Sequence, residues 1–283
     1  MRKEIFSSVA AASGKPWDDM RIAVLDDCLD RLGVPRGPVP AEAVATNPQK
    51  YELRNPEAFW AAMRRMFGGS ISNDQKMGID AILAAASHHP ISWLAYELAT
   101  AFHETGGKMA PNRENMNYSV AGLRGTFGRH RISDQQCRDL GRTKTRPADQ
   151  QAIANIVYGG EFGRTYLGNV QPGDGWKYRG GGMCHNTGRR NAKKADDDMG
   201  LCGAYLVNPD LILDIDIAAR EMVTGMETGR YSGKNLARYL KNERESHANF
   251  MKARPIINGV DRADDVADYA DKMQSAIIAG QWS

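Results

Sequence analysis

The sequence is poor in several features that define large protein classes. Its 283 residues hold four cysteines, Cys28, Cys137, Cys184 and Cys202, with no Cys-x-x-Cys pair and no histidine at zinc-finger spacing from them. A disulfide-stapled mini-protein is excluded, and the thiols are read as reduced. No apolar run approaches the roughly 18 residues that a bilayer span needs. The longest candidate, from Ile91 to Phe102, is interrupted by Glu97, so no transmembrane helix and no membrane insertion are expected. Charge of one sign is also lacking: 37 Lys and Arg stand against 34 Asp and Glu, a net +3 that does not announce a nucleic-acid partner. The opening "MRKEIFSSVAAASGKPW" is basic, but its apolar middle is short and broken by Ser7 and Ser8, so a Sec signal is not expected. A protein made in cytosol follows, and nothing points beyond a monomer.

What is present is an average globular balance, with 42% hydrophobic and 25% charged residues, which gives a folded chain. Apolar residues recur three and four apart, and strand-like alternation is scarce, so the expected fold class is mainly α. The segment from Ile5 to Leu32 echoes one 54 residues later: Phe6 falls on Trp60, Gly14 on Gly68, Leu25 on Ile79 and Leu29 on Leu83. Each copy reads as helix, glycine-centred turn, helix. Between them lies "GVPRGPVPAEAVATNPQKYELRNP", whose prolines sustain neither a helix nor a central strand. A boundary near residue 53 therefore separates a small helical accessory module, 1–53, from a larger domain, 54–283.

In that larger domain Pro90 opens a helix with Ile91, Leu94, Leu98, Ala101 and Phe102 at helical spacing, and Gly106 and Gly107 close it. Residues 147–158 read as another helix, and "DIDIAAREMVTGMETGRY", "GKNLARYLKNERESHANFMKARPIING" and "RADDVADYADKMQSAIIAG" as three more. The glycine-dense stretch 159–188 is expected to be loop with one short hairpin, and so long a loop in a compact domain is usually functional.

The chemistry starts at Glu104, on the last turn of the Pro90 helix. The negative end of the helix dipole and partial burial both oppose its ionised form, which suits a general acid that protonates a glycosidic oxygen. An exposed glutamate at a fraying helix end is the competing reading. Glycoside hydrolysis takes a second carboxylate, for which Glu114 in "NRENMNYS" is the nearest non-helical candidate, with Glu161 and Asp174 as rivals. Tyr118, Tyr158, Trp176 and Tyr178 lie in the surrounding loops, where flat aromatic faces suit sugar rings. "HETGG" lacks the second histidine of a zinc-protease helix, and the remaining histidines make no recognised ligand spacing with His103. No catalytic metal and no cofactor are expected.

These blocks, "LAYELATAFHETGG…RENMNYSVAGLRGTF", "AIANIVYGGEFG", "GDGWKYRGGG…TGRRN", "NPDL" and "RPIING", resemble in order the catalytic domain of glycoside hydrolase family 19, as found in plant-type chitinases and phage endolysins. The resemblance covers about residues 70–265. It implies a lysozyme-like, two-lobed fold with a deep cleft, Glu104 as general acid, Glu114 as general base activating water, and Thr187 helping to hold that water. It also implies substrate contacts at Asn258, Asn191 and Tyr118; Trp176, Tyr178 and His185 complete the expected glycan-binding set. Inversion requires carboxylates about 6.5–9.5 Å apart.

The chain departs from the family at Gly181, which replaces an arginine, at His185, which replaces a glutamine, and at Asn186, which replaces an apolar residue. Glu161 stands where arginine is usual and Val260 where glycine is usual. Within the family, the phage endolysin type is the nearer likeness. The expected substrate is then peptidoglycan glycan strands, cut between N-acetylmuramic acid and N-acetylglucosamine, with release from the host cytoplasm to the periplasm through a holin. A chitinase on poly-N-acetylglucosamine and a non-catalytic glycan-binding or virion protein are the alternatives.

Overall fold

A computed structural model describes residues 51–257 and 259–283. The first copy of the internal echo and most of the proposed accessory module lie outside them. Glu52 and Arg54 pair through their backbone with Ser283 and Gln281, and Leu53 bridges Trp282, so the first described residues are tied to the last.

Eleven helices are labelled here, with shorter turns between them. The second copy of the echo is a helix, turn and helix as expected: α1 (Pro56–Met66) and α2 (Asn73–Ala85). Asn55 caps α1 and Pro56 opens it, while Ser72 and Gln75 form a reciprocal capping box on α2. The next helix, α3 (Ile91–Glu104), is buried over almost its whole circumference from Ile91 to Ala101. Pro90 offers α3 no side-chain cap, so its first amides are met from elsewhere: Ile91 N–H donates to Glu243 Oε1 and Ser92 N–H to the Glu243 carbonyl. At its end the Thr105 hydroxyl donates to the Ala101 carbonyl and accepts from Met109 N–H, and Gly106 and Gly107 turn the chain at φ 59° and 78°.

The middle of the chain holds β1 (Asn112–Arg113), α4 (Val120–Thr126), α5 (Asp134–Leu140), α6 (Gln150–Val157), α7 (Asp174–Lys177) and β2 (Gly181–Gly182). Strands β1 and β2 are antiparallel, with Asn112 opposite Gly182 and Arg113 opposite Gly181. The glycine-dense stretch does carry the expected short hairpin, closed by reciprocal backbone bonds between Gly181 and Asn186. It is otherwise less irregular than its composition suggests, because helical turns at Gly160–Phe162, Gly163–Leu167 and Asp174–Lys177 satisfy its backbone. Then follow α8 (Arg189–Met199), α9 (Ile215–Thr228), α10 (His247–Ala253) and α11 (Ala263–Ala279).

The described residues are thus mainly α with one small sheet, in keeping with the lysozyme-like class. The largest core cluster gathers α1, α2, α3, α9, α10 and α11, with α11 lying along α3 and α9 along α2. A glycine is required at Gly78, where an added Cβ would meet the Met109 carbonyl oxygen at 1.7 Å; α2 therefore packs directly on the backbone that follows α3. A second cluster holds Met116, Leu123, Phe127, Ile153 and Val157, and a third Tyr178, Ala192, Tyr205 and Ile212. Cys137 and Cys184 are free and buried, whereas Cys202 is disulfide-bonded, which corrects the expectation of reduced thiols throughout. Among the described residues no helix is long and apolar enough to cross a membrane.

Candidate active site

Glu104 ends α3, so its side chain leaves the large core where the helix stops. It is only partly exposed, at 18%, and its Oε1 accepts from Arg254 Nη1 at 2.9 Å. Arg254 is 3% exposed and follows α10; its Nε donates to the Asp261 carbonyl. The expectation of an acid facing only the negative end of its own helix therefore omits a partner, a buried guanidinium 150 residues away. Arg254 belongs to "RPIING", a block quoted above for its asparagine, and its charge is the signal that could have marked it. Asn258 of that block lies outside the described residues.

Glu114 follows β1 and continues its ladder, its N–H donating to the Gly180 carbonyl at 2.8 Å. Its carboxylate takes two donors: the Tyr158 hydroxyl to Oε1 at 2.7 Å and Gly180 N–H to Oε2 at 3.2 Å. Two donors on one carboxyl group suit the charged, acceptor-only form. Tyr158 comes from the C-terminal end of α6, and burial together with the Glu114 charge pushes its hydroxyl well above the usual tyrosine range, so it remains a donor. The Arg131 guanidinium lies over the Tyr158 ring and donates twice to the Val157 carbonyl, fixing the end of α6. Tyr118 is half-buried against Phe127, and its hydroxyl too is pushed up by burial and the Glu114 charge.

The rivals of Glu114 are placed differently. Glu161 is exposed on a short turn. Asp174 is buried and fully engaged: Arg189 grips both oxygens, and Val170 and Gln171 donate their N–H groups to Oδ2. Burial alone would raise the Asp174 carboxyl, but the Arg189 and backbone hydrogen bonds outweigh it and hold the carboxyl below its ordinary value.

The hairpin 180–187 runs from Glu114 into the large core. At one end, a Cβ added to Gly180 would lie 3.2 Å from both Glu114 Oε2 and His185 Nδ1, so His185 and Glu114 flank the same point. Further along, burial pushes the Cys184 thiol up, and the nearby Glu104 charge adds to that effect. A five-residue segment thus touches Glu114 at Gly180 and lies within electrostatic reach of Glu104 at Cys184; fully extended it would span about 14 Å between its terminal Cα atoms.

His185 is half-buried in a left-handed turn at φ 51°. Its carbonyl accepts from the Thr187 hydroxyl at 2.8 Å, and the Thr187 carbonyl accepts from Asn191 Nδ2 at 3.0 Å. Gly181, the position that departs from the family arginine, has its space filled from β1: an added Cβ would meet Arg113 Nη1 at 2.5 Å. Arg113 pairs with Asp210 and donates to the carbonyls of Arg179 and Pro209.

The aromatic expectations divide. Trp176 is half-buried, with the Arg179 guanidinium stacked 3.5 Å from its ring centroid. Tyr178 does not belong with the glycan contacts. It is 2% exposed in the third core cluster, its hydroxyl donates to the Leu206 carbonyl, and the Arg189 guanidinium lies over its ring. The alternation of exposed and buried positions around α7 turns it inward, which loop composition could not reveal.

No family model matches the chain. It is similar to a glycosyl hydrolase family 19 domain-containing protein from Haemophilus influenzae (strain ATCC 51907 / DSM 11121 / KW20 / Rd), with 37% identity over 94 residues. That stretch is 33% of this chain and 42% of the relative. The chain therefore has a family-19-like region and spans less than half the length of the curated relative it matches.

Proposed function

We propose that the protein is an inverting glycoside hydrolase that cleaves the β-1,4 bond between N-acetylmuramic acid and N-acetylglucosamine in peptidoglycan, as an endolysin. The observation that carries the hydrolase reading is the pair of differently held glutamates: Glu104 against Arg254 and Glu114 between Tyr158 and Gly180. The partial similarity to a family 19 protein supports the same reaction class.

In this reading Glu104 protonates the leaving glycosidic oxygen while Glu114, already a carboxylate, removes a proton from the attacking water. Arg254 holds Glu104 in one orientation and Tyr158 does the same for Glu114, so the two oxygens face the bond without reorganising. Thr187, turned by its bond to the His185 carbonyl, presents its hydroxyl oxygen as an acceptor beside the water path. His185, Asn191, Tyr118 and Trp176 remain the proposed glycan contacts, with Asn258. Peptidoglycan is preferred over chitin on the likeness of the lead-in "FGGSISNDQKMGIDAILAAA" to phage lysins. Holin-dependent release to the wall belongs to the same proposal.

Mass spectrometry of fragments released from purified peptidoglycan, after reduction of new sugar ends, tests it. Wild type is expected to release fragments ending in reduced N-acetylmuramic acid, and Glu104→Gln and Glu114→Gln at least a hundredfold fewer. Ends in reduced N-acetylglucosamine would overturn the choice of bond. Release from chitin oligomers alone would favour a chitinase, and no release from either substrate would leave a protein that only binds glycans.

A further inference from the structure

A second cluster of chemistry-bearing side chains lies at the other end of α3. His88 and His89 precede the helix, Glu97 stands in its middle, and Glu227 comes from the last turn of α9. His89 is 1% exposed and Glu97 0%. His89 Nδ1 is 2.9 Å from Glu97 Oε1, while His89 Nε2 and His88 Nε2 both point at Glu227 Oε2, at 3.5 and 3.4 Å. His89 Nε2 is buried and makes no hydrogen bond. The His89 backbone is fixed as well, because Trp282 Nε1 donates to its carbonyl and Trp93 packs edge-on against its ring.

We propose that His88, His89 and Glu227 form a binding site for a borderline divalent transition metal, of which Zn²⁺ is the representative, with Glu97 orienting His89 from behind. With the His89 proton on Nδ1 and donated to the Glu97 carboxylate, Nε2 presents a lone pair toward the Glu227 carboxylate oxygen. In that tautomer a buried lone pair stands 3.5 Å from a carboxylate oxygen at the edge of the core, an arrangement that a cation between them relieves. Tetrahedral zinc with ligands at about 2.0–2.1 Å places neighbouring ligand atoms roughly 3.3–3.4 Å apart. The two Nε2–Oε2 separations match two edges of that tetrahedron, and all three ligand atoms lie within 4.8 Å of one another.

A carboxylate behind a ligating imidazole is also the usual support of a metal-bound histidine. His88 and Glu227 are 42% and 38% exposed, so the metal has an entry path and a solvent-facing fourth position. The donor set of two imidazoles and one carboxylate suits zinc rather than calcium or magnesium.

The site lies at the start of α3, about 20 Å along the helix axis from Glu104. It joins the start of α3 to α9 and is structural, separate from the hydrolytic reading and independent of it.

The test uses the full chain freed of metal with a chelator. Titration calorimetry with Zn²⁺ is expected to show one site, and thermal unfolding a rise of several degrees at saturating zinc. His88→Ala and Glu227→Gln, both at half-exposed positions that tolerate change, are expected to weaken binding at least tenfold and abolish the thermal shift. His247→Ala, which removes the exposed His247, Asp268 and Asp271 grouping, is expected to leave both intact. No zinc binding by folded wild type would overturn the proposal. So would binding unchanged in His88→Ala and Glu227→Gln, or lost in His247→Ala.

Discussion

Glu104 and Glu114 lie ten residues apart and are held by opposite means. Glu104 ends a helix buried on nearly every side, and the Arg254 guanidinium that pairs with it is itself buried. Glu114 follows a two-residue strand and is positioned by a glycine amide and a tyrosine hydroxyl, at the border of a small core cluster. The first is placed by the large core and one ion pair, the second by hydrogen bonds from two loops distant in sequence. Changes near Glu104 should therefore disturb stability and activity together, whereas changes near Glu114 should disturb activity with little effect on folding.

Arg254→Met tests the Glu104 side and has the largest expected effect. Losing the buried guanidinium leaves the partly solvated Glu104 unpaired and the Asp261 carbonyl without its donor, at a cost of roughly 3 kcal/mol. Chemical denaturation should show this loss, and glycan release should fall with it. Full stability with lost activity would mean that the large core, and not the ion pair, holds this region.

Asp174→Asn comes next, and separates scaffold from site among the loop carboxylates. The hydrogen bonds from Arg189 are weakened, at a cost of about 2 kcal/mol. Because the folded carboxyl is held below its ordinary value, its stabilising contribution is complete above the model-compound value of 3.8 and disappears as pH falls through the lower folded value. The melting-temperature gap between wild type and Asp174→Asn should be constant near neutrality and close only in acid. A gap that closes near neutral pH would show that Asp174 is not held as an ion pair with Arg189.

On the Glu114 side, Gly180→Ala places a methyl 3.2 Å from both Glu114 Oε2 and His185 Nδ1, without a left-handed φ to penalise the backbone. Glu114 must shift by a few tenths of an ångström. A roughly 10–100-fold fall in kcat is expected from that misplacement, with a melting temperature within a few degrees of wild type. Unchanged kcat would remove the hairpin from the positioning of Glu114.

Much of the scaffold was legible in the sequence, and its failures share a cause. The helices of the second echo copy, α3, α9 and α11 show themselves because apolar spacing, Pro90 and the capping residues act locally; the stretch from Gly233, read as one helix, instead holds a turn at Leu236–Tyr239 and the separate α10, with residues 240–246 non-helical between them. The short hairpin was legible from glycine density, but the helical turns beside it were not, since their stability comes from contacts and not composition. Tyr178 was misplaced because a loop aromatic carries no sign of which way it turns. Arg254 and Glu227 escaped notice for a different reason: each meets its partners across more than 130 residues, Glu104 in one case and His88 and His89 in the other. No spacing rule reaches that far, whereas the hydrogen bond between Tyr158 and Glu114 joins two residues already suspected as neighbours.

Tyr158→Phe is the mildest change and the finest test of the comparison. The ring stays in place, packed against Phe127 and beneath Arg131, and only the hydroxyl that donates to Glu114 is lost. Gly180 N–H still holds the other oxygen, so Glu114 keeps one anchor of two. Stability should fall by about 1 kcal/mol, and kcat by about tenfold with KM unchanged, because a base that wanders affects the attacking water and not glycan binding. Combined with Gly180→Ala, the loss should exceed the product of the single effects, since each substitution alone leaves the other anchor working. Strict additivity would mean that Tyr158 and Gly180 act on different groups, and that the carboxylate between them is not the base.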